Sequence, residues 1–346
     1  MTGPDLLQLC RFMHVTRALE ERLEVLFKQG HVVGELYRSL GQEGTAVASA
    51  FALQAGDWLA PSIRDMGALL VRGLDPAEML RQYTARGGSL CAGKDNTTQF
   101  TVPDLGLVGP VSPLGTQLCV LNGVALSFKV RGQEQVCMTY QGEGASRTGA
   151  SHEGMNFAAA LELPMVVVLE HNRWALGTPS TSEAAVERWL DVAEAYGVPC
   201  AEVDGNDVLQ VYDEAVAAVA RARRGEGMTL IVAETYRMLG HAQHDAQKYA
   251  ASEELERWRD RDPIALFEAY LIESGFAERA QLDKLKSDVE KEIAQAAAAV
   301  IEEPVPEALE ARTRVYADEA LDPPVPWTRQ ERVYADLTTF TPTRQG

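Results

Sequence analysis

The sequence predicts a doubly wound α/β fold, with a mainly parallel sheet, helices on both faces, and helical N- and C-terminal extensions. Two observations carry this. Residues 165–169 (MVVVL) and 229–233 (TLIVA) are continuous apolar runs, the mark of strands buried on both faces rather than one. Helix-length segments separate these runs from one another and from a third, at residues 136–140, as parallel crossovers require.

The elements follow in order. Residues 5–29 place Leu6, Leu9, Phe12, Met13, Leu19, Leu23, Leu26 and Phe27 at helical spacing. A second helix is expected over 42–54, ending near Gly56, and a third over 76–84 with Asp75 as its N-cap. Residues 87–113 are rich in Gly, Thr, Asn, Asp and Pro and read as loop. From residue 136 strands and helices alternate: strand 136–140, an Ala-rich helix 151–161, strand 165–169, a short strand 201–203, helix 207–224 and strand 229–233. Helices return over 263–274 and 278–302, and a Pro-spotted tail, 304–326, is expected to drape over a neighbouring surface. The implied domains are an N-terminal helical arm (1–30), a central α/β domain (31–260), and C-terminal helices with the tail (261–346).

Composition narrows the function. The 346 residues carry 32 Lys and Arg against 50 Asp and Glu, a formal charge of −18, which disfavours nucleic acid and anionic membrane surfaces as partners. Five scattered cysteines, none in a C-x-x-C pair, fit buried structural thiols in a reducing compartment. With no secretory signal and no apolar run long enough to span a bilayer, the expected location is cytoplasmic.

Ligands of a doubly wound sheet sit beyond the carboxyl ends of its strands. One end reads Gly142-Glu143-Gly144-Ala145, another Glu170-His171-Asn172-Arg173-Trp174. If those strands are neighbours, Glu143 and Asn172 project into one crevice. A carboxylate, a carboxamide oxygen and a backbone carbonyl then form a hard-oxygen site suited to Mg²⁺, with positions left for phosphate oxygens and water. Gly142 and Gly144 would let the backbone approach the phosphates. A dinucleotide fingerprint fails on spacing, because its third glycine position is Arg147, and no P-loop pattern occurs.

The 29 residues from Glu143 to Asn172 match the thiamine-diphosphate motif. With GHVVGELYRSLGQEG (30–44), PSIRDMGALLVRG (61–73), SPLGTQ (112–117), HNRWALGTPS (171–180), VDGNDV (203–208) and ETYRMLGH (234–241), the chain resembles the alpha subunit of the decarboxylating first component of 2-oxo acid dehydrogenase complexes. The likeness runs from about Leu23 to Tyr316.

The resemblance implies the thiamine-diphosphate-binding fold, with thiamine diphosphate and Mg²⁺ as cofactors. Glu143, Asn172 and the carbonyl of Trp174 would ligate Mg²⁺. Gly142, Gly144 and Ala145 would line the diphosphate, Arg64 would hold a terminal phosphate, and Ser112 and Leu114 would meet the aminopyrimidine. His241 would be the catalytic loop histidine over the reacting carbon. The activating glutamate of such enzymes lies on a second domain that this chain lacks. The implied partners are therefore a beta subunit in an α₂β₂ heterotetramer and a lipoyl-bearing transacylase core. The implied reaction is oxidative decarboxylation of a small 2-oxo acid, with a slight lean to branched-chain acids. Pyruvate or acetoin, or an idle assembly or regulatory role, are the alternatives.

Several positions depart from the pattern. Ile63 stands where Tyr is usual, His171 replaces the first Asn of a pair, Glu143 replaces Asp, and Ala242 replaces a regulatory phosphoserine. Leu239 stands where some relatives carry another histidine, and no role is assigned to His244. Oxygens of Ser112, Thr116 and Gln117 leave a K⁺ site open beside the plainer reading of a tight turn. Pro323, Pro324, Pro326 and Trp327 are a candidate contact surface.

Overall fold

Apolar side chains alternate between two cores across one sheet, and this places the helices. The computed structural model describes residues 1–95, 97–110 and 112–312, of which Met1–Val305 form one compact unit and the residues from Pro306 onward another. The Pro323–Trp327 surface and the end of the likeness at Tyr316 lie outside the described residues.

The chain begins with α1 (Gly3–Lys28), capped by Thr2 and Asp5 in a reciprocal capping box, and α2 (Glu43–Phe51). Strand β1 (Trp58–Ala60), α3 (Met66–Val71) and α4 (Pro76–Tyr83) follow, with Asp75 capping α4 through the Ala77 amide as expected. After the loop come α5 (Thr116–Arg131), β2 (Cys137–Gly142), α6 (Gly149–Ala160) and β3 (Met165–His171). A hairpin of β4 (Trp174–Ala175) and β5 (Thr178–Pro179) precedes α7 (Trp189–Tyr196), β6 (Cys200–Asp204), α8 (Val208–Arg223) and β7 (Thr229–Glu234). Helices α9 (Ser252–Arg259), α10 (Pro263–Glu273) and α11 (Arg279–Ile301) close the unit.

The sheet order is β1-β2-β3-β7-β6, and every pairing in it is parallel. Met138, Tyr140, Val166, Val168, Ile231 and Ala233 face a core built with α1, α2, α4, α8, α10 and α11. Their sequence neighbours Cys137, Val167, Leu169, Leu230 and Val232 face the opposite core with α5, α6 and α7. This period-2 split on two buried faces is why the strands read as unbroken apolar runs. The doubly wound sheet is thus the predicted one, and among the described residues no helix is long and apolar enough to cross a membrane.

Two expectations need correction. Of the five thiols, none in a disulfide, Cys10 and Cys137 are buried, but Cys119 on α5 is exposed, its Sγ donating to the Ala150 carbonyl of α6 at 3.2 Å. The strands and helices read from sequence also omitted β1, α3, α5, α7, α9 and the β4–β5 hairpin.

Candidate active site

Parallel pairing of β2 with β3 sets Gly142 opposite Glu170, so the two strands end at one edge. The condition on which the sequence reading depended is met. Beyond that edge lies a cleft of about 360 Å³. Arg64, Leu114, Gly142, Glu143, Gly144, Ala145, Asn172, Trp174 and His241 all line it. Ser112 is not among the lining residues; its hydroxyl is bonded at 2.6 Å to the side-chain carbonyl of Gln99 once that amide faces Asp95.

Glu143 leaves β2 pointing inward, with 1% of its surface exposed. Its Oε2 accepts from the Asn172 amide at 3.2 Å, while Oε1 is buried without a hydrogen-bond partner among the described residues. Burial pushes this carboxyl above the usual carboxylate range. A buried carboxylate oxygen lacking a donor is costly on its own and suits a cation. Asn172 turns its Oδ1 to the Trp174 amide at 3.3 Å, and the Trp174 carbonyl accepts from Arg237 Nη1 at 3.1 Å. Both acceptors keep a second lone pair.

The two glycines differ in what they permit. A Cβ on Gly144 would stand 2.4 Å from the Ala175 Cβ, so glycine lets the β4–β5 hairpin close over the β2 end. A Cβ on Gly142 would meet nothing nearer than 3.9 Å, so that position borders open cleft.

Arg64 enters from the loop between β1 and α3 and is 7% exposed. Its Nη2 donates to the His241 carbonyl and lies 3.4 Å from His241 Nδ1; its Nε is buried without a partner among the described residues. Burial, then Arg237, draws the guanidinium down to about 10, so it stays cationic at neutral pH and is available to an anion. His241 hangs on the loop after β7, whose Arg237 amide donates to the Asn172 carbonyl at 3.0 Å. Asp245 holds the His241 amide at 2.7 Å. Burial, then Arg64 and Arg237, pull the imidazole down to about 4. It is therefore neutral at pH 7, and an Nδ1 that accepts from Arg64 leaves the ring proton on Nε2.

Sequence reasoning missed the roles of five contributors. Tyr37 packs edge-on against the His241 ring at 5.3 Å and lies 5.9 Å below the Arg64 guanidinium. Buried Gln117 donates through Nε2 to the carbonyls of Pro61 (3.0 Å) and Tyr140 (2.7 Å), tying the exits of β1 and β2 to the start of α5. Glu170, which lines the cleft, lies against Asp65, and burial pushes both carboxyls above the usual carboxylate range. Arg237 spans the Trp174 and Leu176 carbonyls. Gln117 had a signal in SPLGTQ, whereas Tyr37, Asp65 and Arg237 reach the site only through tertiary packing.

The departures also find places. Ile63 lines the cleft, contributing apolar surface where a hydroxyl was usual. His171 turns away, its Nδ1 at 2.8 Å from Glu234, which also pairs with Arg173. Ala242 is buried, and His244 pairs with Glu35 at 2.9 Å on the surface.

Residues 11–309 match the family described as Dehydrogenase E1 component. The chain is 34% identical over 304 residues to the alpha subunit of acetoin:2,6-dichlorophenolindophenol oxidoreductase from Cupriavidus necator, covering 88% of this chain and 89% of that protein. It is 34% identical over 312 residues to the 3-methyl-2-oxobutanoate dehydrogenase subunit alpha of Mycobacterium tuberculosis, covering 90% and 82%. Against the pyruvate dehydrogenase E1 component subunit alpha of Bacillus subtilis it is 34% identical over 300 residues, covering 86% and 78%. With its parallel sheet and strand-end cleft, the chain belongs to the dehydrogenase E1 component family and, within it, to the alpha subunits.

Proposed function

We propose that this chain is the alpha half of a cytoplasmic 2-oxo acid dehydrogenase and holds the diphosphate of thiamine diphosphate through Mg²⁺. The observation that carries the reading is the convergence of Arg64, Glu143, Asn172 and His241 on one cleft, with Glu143 Oε1 and Arg64 Nε lacking partners among the described residues. These residues fit the group. Glu143, Asn172 and the Trp174 carbonyl would hold the ion, all hard oxygen donors. Arg64 and the backbone of Gly142, Gly144 and Ala145 would hold the diphosphate, and the segment of Ser112 and Leu114 the aminopyrimidine.

Bound thiamine diphosphate supplies a nucleophilic carbon and an electron sink for decarboxylation. The protein's own residues do the rest. His241, neutral with its proton on Nε2, donates a hydrogen bond to an oxyanion of the substrate rather than delivering a proton as an imidazolium. Trp174, Ala175, Leu176 and Thr178 of the β4–β5 hairpin line the cleft and add apolar surface to it. The carboxylate that activates the aminopyrimidine comes from a beta subunit in an α₂β₂ assembly, and the acyl group passes to a lipoyl group on the transacylase core. The substrate is a small 2-oxo acid with a slight lean to branched-chain acids, supported by Glu143 and the SPLGTQ and VDGNDV segments; pyruvate or acetoin is the alternative.

Calorimetric titration of thiamine diphosphate with Mg²⁺, into the chain alone and with its beta subunit, tests this. Tight binding only with the partner, lost without Mg²⁺, is expected. Absence of binding in both cases would overturn the reading and leave an idle assembly homologue.

A further inference from the structure

Away from the active-site cleft, α1 carries Cys10 and His14 one helical turn apart, so both side chains leave the helix on one face. Glu268 of α10 faces them. His14 Nε2 lies 2.9 Å from Glu268 Oε1, and the Cys10 sulfur, a His14 ring nitrogen and a Glu268 oxygen all lie within 4.8 Å of one another. The other carboxylate oxygen is held by Arg279 Nη1 at 2.7 Å, which fixes the orientation of the group. Cys10 is 0% exposed and His14 6%. Beside His14 and Glu268 opens a cleft of about 430 Å³, also lined by Arg17, Asp262 and Lys286, which offers a path for an ion and room for water.

We propose that Cys10, His14 and Glu268 form a zinc site, with water from this cleft as the fourth ligand. The donors select the metal. A thiolate and an imidazole suit Zn²⁺ and are poor ligands for Mg²⁺, which prefers oxygen, so the two ions of this chain would not compete for one site. Zinc bonds of about 2.0 to 2.3 Å in tetrahedral geometry put neighbouring ligand atoms roughly 3.3 to 3.6 Å apart. From the 2.9 Å between His14 and Glu268 those two need to part by a few tenths of an ångström, and Cys10, within 4.8 Å of both, to close by at most about one, which side-chain rotation supplies. Binding forms the Zn–S bond, and the thiol proton leaves to solvent. Arg279 stays on the free carboxylate oxygen as a supporting contact. The ion would then pin the N-terminal helix to α10 more firmly than a His–Glu hydrogen bond does.

The test is the zinc content of the full chain, purified with its partner subunit, equilibrated with zinc and then gel-filtered. One zinc per chain is expected, falling at least about tenfold in Cys10→Ser and in His14→Gln, both checked for native fold by circular dichroism. Cobalt in place of zinc should give a thiolate-to-metal charge-transfer band that Cys10→Ser abolishes. A wild-type chain that retains no zinc, equal retention in both variants, or a cobalt spectrum without the thiolate band would each overturn the proposal and leave a plain His–Glu pair. None of these readouts depends on thiamine diphosphate, so this proposal can fail while the proposed function stands, and the reverse.

Discussion

Arg64 and His241, 177 positions apart in the chain, are joined twice: the guanidinium Nη2 donates to the His241 carbonyl and stands 3.4 Å from its Nδ1. The cation thus fixes the loop that carries the imidazole and helps keep the imidazole uncharged. Burial lowers the ring's pKa first, then Arg64, then Arg237, to about 4.

Removing that cation should let the ring titrate closer to its ordinary range. In Arg64→Gln the His241 midpoint should rise from about 4 toward 6.5, as followed by NMR of the ring protons. The stability consequence has a definite sign. The folded pKa lies below the unfolded one, so the neutral ring's contribution is whole above about pH 6.5 and is lost as pH falls toward 4. Arg64→Gln should flatten that stretch of the stability profile. An unmoved midpoint would mean that burial and Arg237 set the value without Arg64.

His241 binds no part of the proposed ion, so its loss should separate chemistry from binding. His241→Ala, assembled with the partner subunit, should keep Mg²⁺-dependent cofactor affinity within a few-fold and lose about 10²–10³ in reductive acylation, the size of a lost oxyanion donor. Turnover at the wild-type rate would remove His241 from the mechanism.

Glu143 shows the opposite separation. Its carboxylate is buried and, at Oε1, without a partner among the described residues, so it costs stability in the protein alone. Glu143→Gln should therefore leave thermal stability unchanged or raise it. Cofactor affinity in Mg²⁺ should fall by more than the roughly 10- to 100-fold that loss of a mere supporting contact costs. Calorimetry and a thermal melt on the same sample check both halves; retained affinity would take Glu143 out of the metal site.

How much of this was legible in sequence depended on whether a segment's partners were local. Strands β2, β3 and β7 announced themselves because burial on both faces leaves no polar alternation, and Asp75 and the residues of α1 carried their caps and periodicity with them. Helix α9 has no buried residue, so no apolar stripe marks it. In α5, Val120 and Val130 are exposed while Gln117 and Asn122 are buried, which scrambles the stripe that would have marked it. Strand β1 is three residues long, and β4 and β5 two each, below any period. At the site, the strand ends pointed to Glu143 and Asn172 because one βαβ unit separates them. Tyr37 and Asp65 come from segments whose approach only the folded chain defines, and His171, conspicuous in sequence, is taken up by Glu234.

Gly144 has helical backbone angles (φ −64°, ψ −37°), so a side chain there costs no backbone strain and the penalty is purely steric. In Gly144→Ala the new methyl would push away Ala175, and with it the hairpin bearing the Trp174 carbonyl. A loss of about 1–3 kcal/mol is expected, as for overpacking elsewhere, together with weakened cofactor binding. Ala175→Gly in the same chain should restore most of both. A double variant no better than the single one would show that the hairpin is not what Gly144 accommodates.

Gln117 makes the last case, because its two hydrogen bonds fix the spacing of the two strand exits that border the cleft. Its Nε2 reaches the carbonyls of Pro61, before Arg64, and of Tyr140, before Glu143. Gln117→Met keeps the volume but strips both buried carbonyls of a donor, at about 1–3 kcal/mol for each acceptor left unsatisfied. Gln117→Glu removes the same donors and adds a carboxylate facing two carbonyls, so it should destabilise more. If Gln117 spaces the Arg64 and Glu143 loops, Gln117→Met should weaken the cofactor Kd and leave the catalytic rate at saturation nearly unchanged. A fall in that rate with an unchanged Kd would instead place Gln117 in the chemistry rather than in the frame around it.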